Sequence, residues 1–305
     1  MRIASLLPSA TELLFGIGAG AEVVGVTHEC DFPVEAGRLP RLTSSSIDHT
    51  GQSCAAIDRH IRGALHSGSS IYRLDEELLA RLHPDLIVTQ ELCEVCAVAY
   101  REVEGAARRL GGEVPVISLE PNDLEGIIAT ALVLGEATAH LPGAEALSGR
   151  MRDAIAEVEA LPPCGEAPPA TACLEWTDPI FTGGHWVPEM VRRAGGRDLV
   201  GTEGERSADV PWERVVEASP EVMVLMPCGF GLERSLETVA DLAGRPGFAG
   251  LPCVRSGRVA AVDGSGYFNR PGPRIVEGVR ILAAVLRGAP GTPLPAGAAW
   301  VPVRG

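Results

Sequence analysis

Leu86-Ile87-Val88-Thr89 is a short, uninterrupted apolar and β-branched run set directly behind His83-Pro84-Asp85. Such a run, without polar alternation, reads as a strand buried on both faces, as strands of parallel sheets are. Parallel neighbours need long crossover connections, usually helical, so the flanking chain is expected to alternate strand and helix. After Thr89 the chain turns at Gln90-Glu91-Leu92 and enters a helix-like stretch that carries Cys93 and Cys96. Ligands of open α/β sheets bind just beyond the carboxyl ends of the strands. A Cys-x-x-Cys pair at that position faces a cleft rather than a core.

The alternation is present on both sides of this run. Residues 2–7 read as a first strand, and Ser9-Ala10-Thr11-Glu12 as a capping box opening a helix that Gly16, Gly18 and Gly20 close. Val23–Thr27 reads as a second strand ending on His28-Glu29-Cys30-Asp31-Phe32-Pro33. A polar stretch at 43–51, a helix near 55–65, the segment 75–82 and a strand at 114–119 complete a first α/β lobe, residues 1–120. Residues 121–163 read as a helical connector. Its second helix runs from Pro142 to about Leu161, roughly 20 residues or 30 Å. Leu161-Pro162-Pro163-Cys164-Gly165 breaks the pattern. Strands then recur at 170–174, 222–226 and 258–262, with helices at 188–194 and 273–286, giving a second α/β lobe over 164–288. The Pro- and Gly-rich residues 289–305 read as a loosely ordered tail.

Composition narrows the chemistry. Net charge is −14, which excludes a phosphate backbone as the natural partner, so no nucleic acid is expected. All 26 basic residues are arginine, so Schiff-base chemistry and a P-loop lysine are both excluded. No apolar run approaches the roughly 18 residues of a membrane span, so no membrane insertion is expected. The sequence enters a strand straight after Met1, with no secretory apolar region ahead of it. That reads as a cytoplasmic protein with reduced cysteines; a mature form would be periplasmic or extracellular. GxSxG and Walker motifs are absent, and Gly16-Ile17-Gly18-Ala19-Gly20 closes a helix instead of linking a strand to one.

Leu6-Leu7-Pro8-Ser9-Ala10-Thr11-Glu12, Gly25-Val26-Thr27 through Asp31-Phe32-Pro33, and Leu82-His83-Pro84-Asp85-Leu86-Ile87-Val88 form one ordered set of motifs. Phe181-Thr182-Gly183-Gly184, Ala194-Gly195-Gly196, Val210-Pro211-Trp212-Glu213, Ala218-Ser219-Pro220 and Pro273-Arg274-Ile275 continue it. In this order and spacing the chain resembles the helical-backbone (class III) substrate-binding proteins, and most of all their vitamin B12-binding subgroup. The resemblance spans most of residues 2–287. It implies an α/β fold of two lobes joined by one long backbone helix, with a small-molecule metal chelate held in a cleft between the lobes. By position it implies ligand contacts from Glu29, Cys30, Gln90, Glu91, Trp176, His185, Trp186, Tyr267, Phe268 and Arg270. It further implies an ABC permease partner, docked through Glu77 on one lobe and Glu213 on the other. Each of these carboxylates also lies in the first turn of an apolar helical run, where the macrodipole alone favours it. Gln90 and Glu29 stand where the B12 receptors offer aromatics, and an insertion around residues 45–72 lengthens the first lobe.

Three strand ends carry thiols: Cys30, the pair Cys93 and Cys96, and Cys228. Together they would suit a soft metal ion, although buried free cysteine often serves as a small hydrophobe, the reading preferred for Cys173. His28 and His185 lie in expected cleft loops as candidate axial ligands. Trp176, Trp186, Tyr267 and Phe268 are flat rings in a chain only 4% aromatic, suited to a tetrapyrrole-like ligand. Arg270 and Arg274 flank Pro271-Gly272-Pro273 at a helix start, a place for an anionic ligand group. The reading these features favour is non-enzymatic binding of a corrinoid such as cobalamin, or another metal chelate. One alternative is a cytoplasmic metal-binding protein holding the ion directly on Cys30, Cys93, Cys96 and Cys228. Another is a dithiol redox enzyme using Cys93 and Cys96.

Overall fold

The structure is a computed structural model that describes residues 1–46, 51–66, 71–90, 100–109 and 114–303. The chain divides into two compact units, residues 1–121 with 125–150, and residues 122–124 with 151–305.

In the first unit, β1 (Ile3–Ser5) leads into α1 (Pro8–Gly16), followed by β2 (Val23–Val26) and β3 (Thr43–Ser45). Then come α2 (Cys54–His66), β4 (Tyr72–Leu74), α3 (Glu76–Leu82), β5 (Leu86–Thr89), α4 (Tyr100–Arg109), β6 (Val116–Ser118) and α5 (Leu124–Ala137). Its sheet has the order β2-β1-β5-β6 and every pairing is parallel. The run at 86–89 is therefore an inner strand, and all four of its residues are buried. Leu7 is the residue before α1 and makes no side-chain cap; Pro8 opens the helix and Ser9 lies inside it. The capping box expected at Ser9 and Glu12 is thus not formed, because Pro8 pre-sets the helical φ one residue earlier. The segment before α2 and the segment after it pair as the antiparallel hairpin β3–β4, which the polar composition of 43–51 does not announce.

The helix α6 (Leu141–Glu159) has 19 residues and continues from the first unit into the second. It begins flush against α1: a Cβ at Gly143 would lie 2.0 Å from the Ile17 carbonyl oxygen, so only glycine fits.

In the second unit, β7 (Ala170–Thr177), β8 (Ile180–Thr182), α7 (Val187–Arg193), β9 (Arg197–Asp198) and α8 (Trp212–Ala218) come first. They are followed by β10 (Val222–Leu225), α9 (Leu232–Glu237), α10 (Ala240–Ala243), α11 (Pro252–Arg255), β11 (Val259–Val262), α12 (Gly264–Tyr267), α13 (Ile275–Arg287) and β12 (Ala298–Trp300). The strand order is β12-β11-β10-β7-β8, with β9 also on β7. The strands β7, β10 and β11 run parallel. One core cluster joins Leu174, Met223, Leu225, Val259 and Ala261 from these strands to Trp212, Phe248 and Val301.

Residues past Gly288 are not a loose tail. They return as β12, antiparallel to β11. Val301 is 3% exposed and donates its N–H to the Val259 carbonyl, and Trp300 Nε1 donates to the Thr292 carbonyl at 3.0 Å. The Pro and Gly residues only route the chain back; the apolar Ala298–Val301 stretch supplies the burial.

Candidate functional site

Among the described residues, the strand ends of each unit gather the polar and aromatic side chains singled out from the sequence. In the first unit the end of β2 carries His28 and Glu29, both half-buried. The loop beyond them is fixed by Arg41. Its Nη1 donates to the carbonyls of Thr27 and Cys30, each at 2.7 Å, and its Nη2 to that of Gly37 at 3.3 Å. A guanidinium suits this role because its donors sit in a rigid fork. The hairpin then holds the two side chains from behind. Thr43 Oγ1, on β3, accepts the His28 backbone N–H at 3.1 Å and lies 2.7 Å from His28 Nδ1. Tyr72, on β4, donates its hydroxyl to Glu29 Oε1 at 3.2 Å, and its ring lies 5.4 Å from that of His28. Sequence reasoning passed over Tyr72 because 43 residues separate it from Glu29.

Cys30 is placed differently from the expectation of a cleft-facing thiol. It is 1% exposed, with its Sγ 3.1 Å from Thr11 Oγ1 and 3.4 Å from Thr27 Oγ1. Its sulfur belongs to a buried hydroxyl cluster that also includes Ser5, which accepts from Thr11 at 2.8 Å. Gln90 is 5% exposed at the end of β5. Glu91, Cys93 and Cys96 lie outside the described residues.

In the second unit three adjacent parallel strands each lead to an aromatic ring. Trp176 lies at the end of β7, Phe230 follows β10, and Tyr267 follows β11. The Trp176 and Phe230 rings are 5.2 Å apart and tilted by 57°, within the range of favourable aromatic pairs. Arg234 lies over the Phe230 ring at 4.6 Å and Arg274 over the Tyr267 ring at 5.7 Å. Arg270, half-buried, follows Tyr267 by three residues. Phe230 escaped the sequence reading because it sits in the irregular Pro227-Cys228-Gly229-Phe230 turn, where no periodicity marks it.

The loop beside β7 is organised by Glu175. Its Oε1 accepts the Gly184 N–H at 3.1 Å and its Oε2 accepts the Ser207 hydroxyl. A Cβ at Gly184 would lie 2.1 Å from the Ser207 backbone nitrogen, so the two loop segments touch backbone to backbone. His185 follows with φ +51°, a left-handed conformation uncommon outside glycine. Its Nε2 is buried with no hydrogen-bond partner. Burial first, and the neighbouring Arg206 charge second, hold the imidazole pKa below its ordinary value of 6.5.

Trp186 and Phe268 are internal, as Phe230 and Trp176 largely are: Phe268 is 0% exposed, Phe230 4%, Trp186 6% and Trp176 9%, and Trp186 Nε1 donates to the Phe268 carbonyl at 2.7 Å. That bond joins α7 to the turn before α13. Cys228 is exposed and belongs to the second unit, whereas Cys30 belongs to the first. Among the described residues no group of three or more His, Cys, Asp or Glu side chains is gathered as metal ligands. Cys173 and Cys253 are buried. Burial pushes the Cys253 thiol up to about 12 and the Cys173 thiol well above its ordinary range. Glu77, in the first turn of α3, has a side chain 92% exposed and lies 3.9 Å from Arg81. Glu213, in the first turn of α8, is also exposed.

No helix among the described residues is long and apolar enough to cross a membrane. Among solved structures the chain is similar to the periplasmic heme-binding protein RhuT from Roseiflexus sp. RS-1, at 25% identity and TM-score 0.69, covering 94% of this chain and 97% of that one. It is similar to the periplasmic vitamin B12-binding protein BtuF of Vibrio cholerae, at 22% identity and TM-score 0.63, covering 94% and 96%. A periplasmic heme-binding protein from Pseudomonas aeruginosa matches at 20% identity and TM-score 0.66, covering 99% and 96%. A search of curated proteins finds no match. The family model described as "Periplasmic binding protein" matches residues 3–265, and with that match over most of its length the chain belongs to the periplasmic binding protein family.

Proposed function

We propose that this protein binds a flat metal chelate, a corrinoid before any other, without catalysing a reaction on it, and hands it to an ABC permease. The observation that carries the proposal is the set of rings on three adjacent strand ends, Trp176, Phe230 and Tyr267, in a chain only 4% aromatic. Tyr267, half-buried, can present a ring face to a flat apolar ligand, with the buried Trp176 and Phe230 as apolar packing at the neighbouring strand ends and Arg270 and Arg274 as nearby cations. His185 is the candidate axial ligand. A neutral imidazole with an unpartnered nitrogen binds metal without first losing a proton, and a backbone in an uncommon conformation is a frequent mark of such sites. Glu29, Gln90 and Glu91 are proposed as the ligand-contacting residues of the first unit. Glu77 and Glu213 are proposed as the permease-docking carboxylates; the exposure of both suits that role. The family description favours a periplasmic or extracellular working location over the cytoplasmic one read from the start of the sequence.

The metal-only reading loses ground because Cys30 is enclosed by hydroxyls. The test is a visible absorption titration with aquocobalamin and, separately, hemin. A saturable shift of the corrinoid bands, weakened about tenfold or more in Trp176→Ala and altered in band position in His185→Ala, is the expected result. Saturable binding of hemin alone would replace the corrinoid with heme. Binding of neither would overturn the chelate reading.

A further inference from the structure

The chain that returns after α13 lies beyond residues 3–265, the stretch that the family model matches. Its return brings Gly297 against α12. Ala298 pairs with Val262 in the β11–β12 ladder, and one residue earlier the Gly297 carbonyl accepts the Asp263 N–H at 2.8 Å. Asp263 in turn caps α12, its Oδ1 accepting the Gly266 N–H at 2.7 Å, and α12 ends on Tyr267. A Cβ at Gly297 would lie 2.5 Å from Tyr267 Cε2 and 3.0 Å from Cδ2. The edge of the ring therefore rests directly on the glycine, at a separation that no side chain allows. The φ of +85° at Gly297 suits the same residue. Tyr267 is held from behind as well. There is no room for a Cβ at Gly278 beside the Tyr267 carbonyl oxygen, so α13 packs on this stretch of backbone. With the backbone held, a crowded ring can yield only by turning about its side-chain bonds.

Of the rings on the three strand ends, Tyr267 alone is half-buried, while Trp176 and Phe230 are buried. Where its ring stands thus decides what a flat ligand meets. Resting on the chelate reading above, we propose that Gly297 is a specificity-determining positioning residue, which acts on the ligand through the edge of the Tyr267 ring. Any side chain at 297 would turn that ring out of its place and change how closely a flat ligand approaches it. The C-terminal return is then part of the ligand site and not only a cover for the edge of β11.

The test is a double-variant cycle on Gly297→Ala and Tyr267→Ala, read by absorption titration with aquocobalamin and with hemin. For the probe that the wild-type protein binds, Gly297→Ala is expected to raise Kd about tenfold. The double variant is expected to bind no more weakly than Tyr267→Ala alone, because without the ring the added methyl has nothing to displace. Penalties that add in the double variant, or a Gly297→Ala protein that binds like wild type, would overturn the proposal. In the ligand-free protein the aromatic 1H–13C resonances of Tyr267, assigned through Tyr267→Phe, are expected to move in Gly297→Ala. Unmoved resonances would overturn the positioning without reference to any ligand. Circular dichroism establishes that each variant is folded. Should Gly297→Ala alone not fold, the double variant is expected to fold, and an unfolded double variant would overturn the contact. Binding of neither probe by the wild type would remove the chelate reading and the role in binding with it, a failure distinct from unmoved ring resonances.

Discussion

Glu189 Oε2 accepts the backbone N–H of Leu124, 65 residues earlier in the chain, at 2.9 Å. Its other oxygen accepts from Arg193 Nε at 3.0 Å and Nη2 at 2.9 Å, and Arg193 Nη1 in turn donates to Glu159 at 2.7 Å. One carboxylate on α7 therefore ties Leu124 and, through Arg193, Glu159, all of them residues of the second unit. It does so while itself only 7% exposed.

Glu189→Ala is expected to destabilise the protein by about 2 kcal/mol, because it orphans a helix N-terminal N–H and leaves the Arg193 guanidinium only its bond to Glu159. Glu189→Gln keeps an acceptor for Leu124 and is expected to lose less. Chemical denaturation of the two variants beside the wild type measures the difference. Equal stability of Glu189→Ala and wild type would show that the tie carries no energy.

His185 gives stability a pH dependence of known sign. Its pKa in the folded protein is lower than in the unfolded chain, so below about 6.5 the unfolded state takes up a proton that the folded state resists. Its contribution is fully present above that pH and is lost as pH falls. His185→Asn is expected to flatten the decline in stability on the acid side of 6.5. Arg206→Gln should flatten it less, since burial is the larger cause. Melting temperatures from pH 7.5 down to 5 provide the comparison.

The thiols should separate by burial. Cys228 is exposed, while Cys173 and Cys253 are fully enclosed and their pKa values are raised. Since only the thiolate reacts, alkylation of the native protein at pH 8 is expected to modify Cys228 within minutes and to spare Cys173 and Cys253 until denaturant is added. Peptide mass mapping reads this directly.

Removing residues 292–305 is expected to lower stability and promote aggregation. It uncovers the edge of β11 that β12 pairs with and takes Val301 out of the core. The milder Val301→Ala should cost about 1 to 2 kcal/mol without aggregation. Light scattering and denaturation distinguish the two effects.

The fold was legible wherever a local run decides the matter. The buried strand at 86–89, the composition break at 161–165 and the helix seen at Leu141–Glu159 all follow from short-range patterns of apolar residues, Pro and Gly. The site was legible as positions and not as directions. Glu29 and Cys30 are neighbours at the same strand end, yet one meets Tyr72 at the half-exposed surface while the other turns into a pocket of threonines. Nothing in the local sequence distinguishes them. Trp186 and Phe268 attracted notice as scarce rings and proved to be packed against each other's segment. Phe230 and Glu175, which do order the second unit's strand ends, sit in an irregular turn and an apolar strand. Contacts made across many tens of residues leave no local periodicity to find.

The bracket made by Arg41 separates two things that loops usually entangle. It grips the carbonyls of Thr27, Cys30 and Gly37 and no side chain of the loop among those bonds, so this share of the hold on the chain's path does not change when a loop side chain is exchanged. A substitution there, in evolution or in design toward a different cargo, keeps these three bonds as a backbone anchor. Arg41 is the residue such a lineage has to keep, and lysine, with its donors on a single atom, would be a poor substitute.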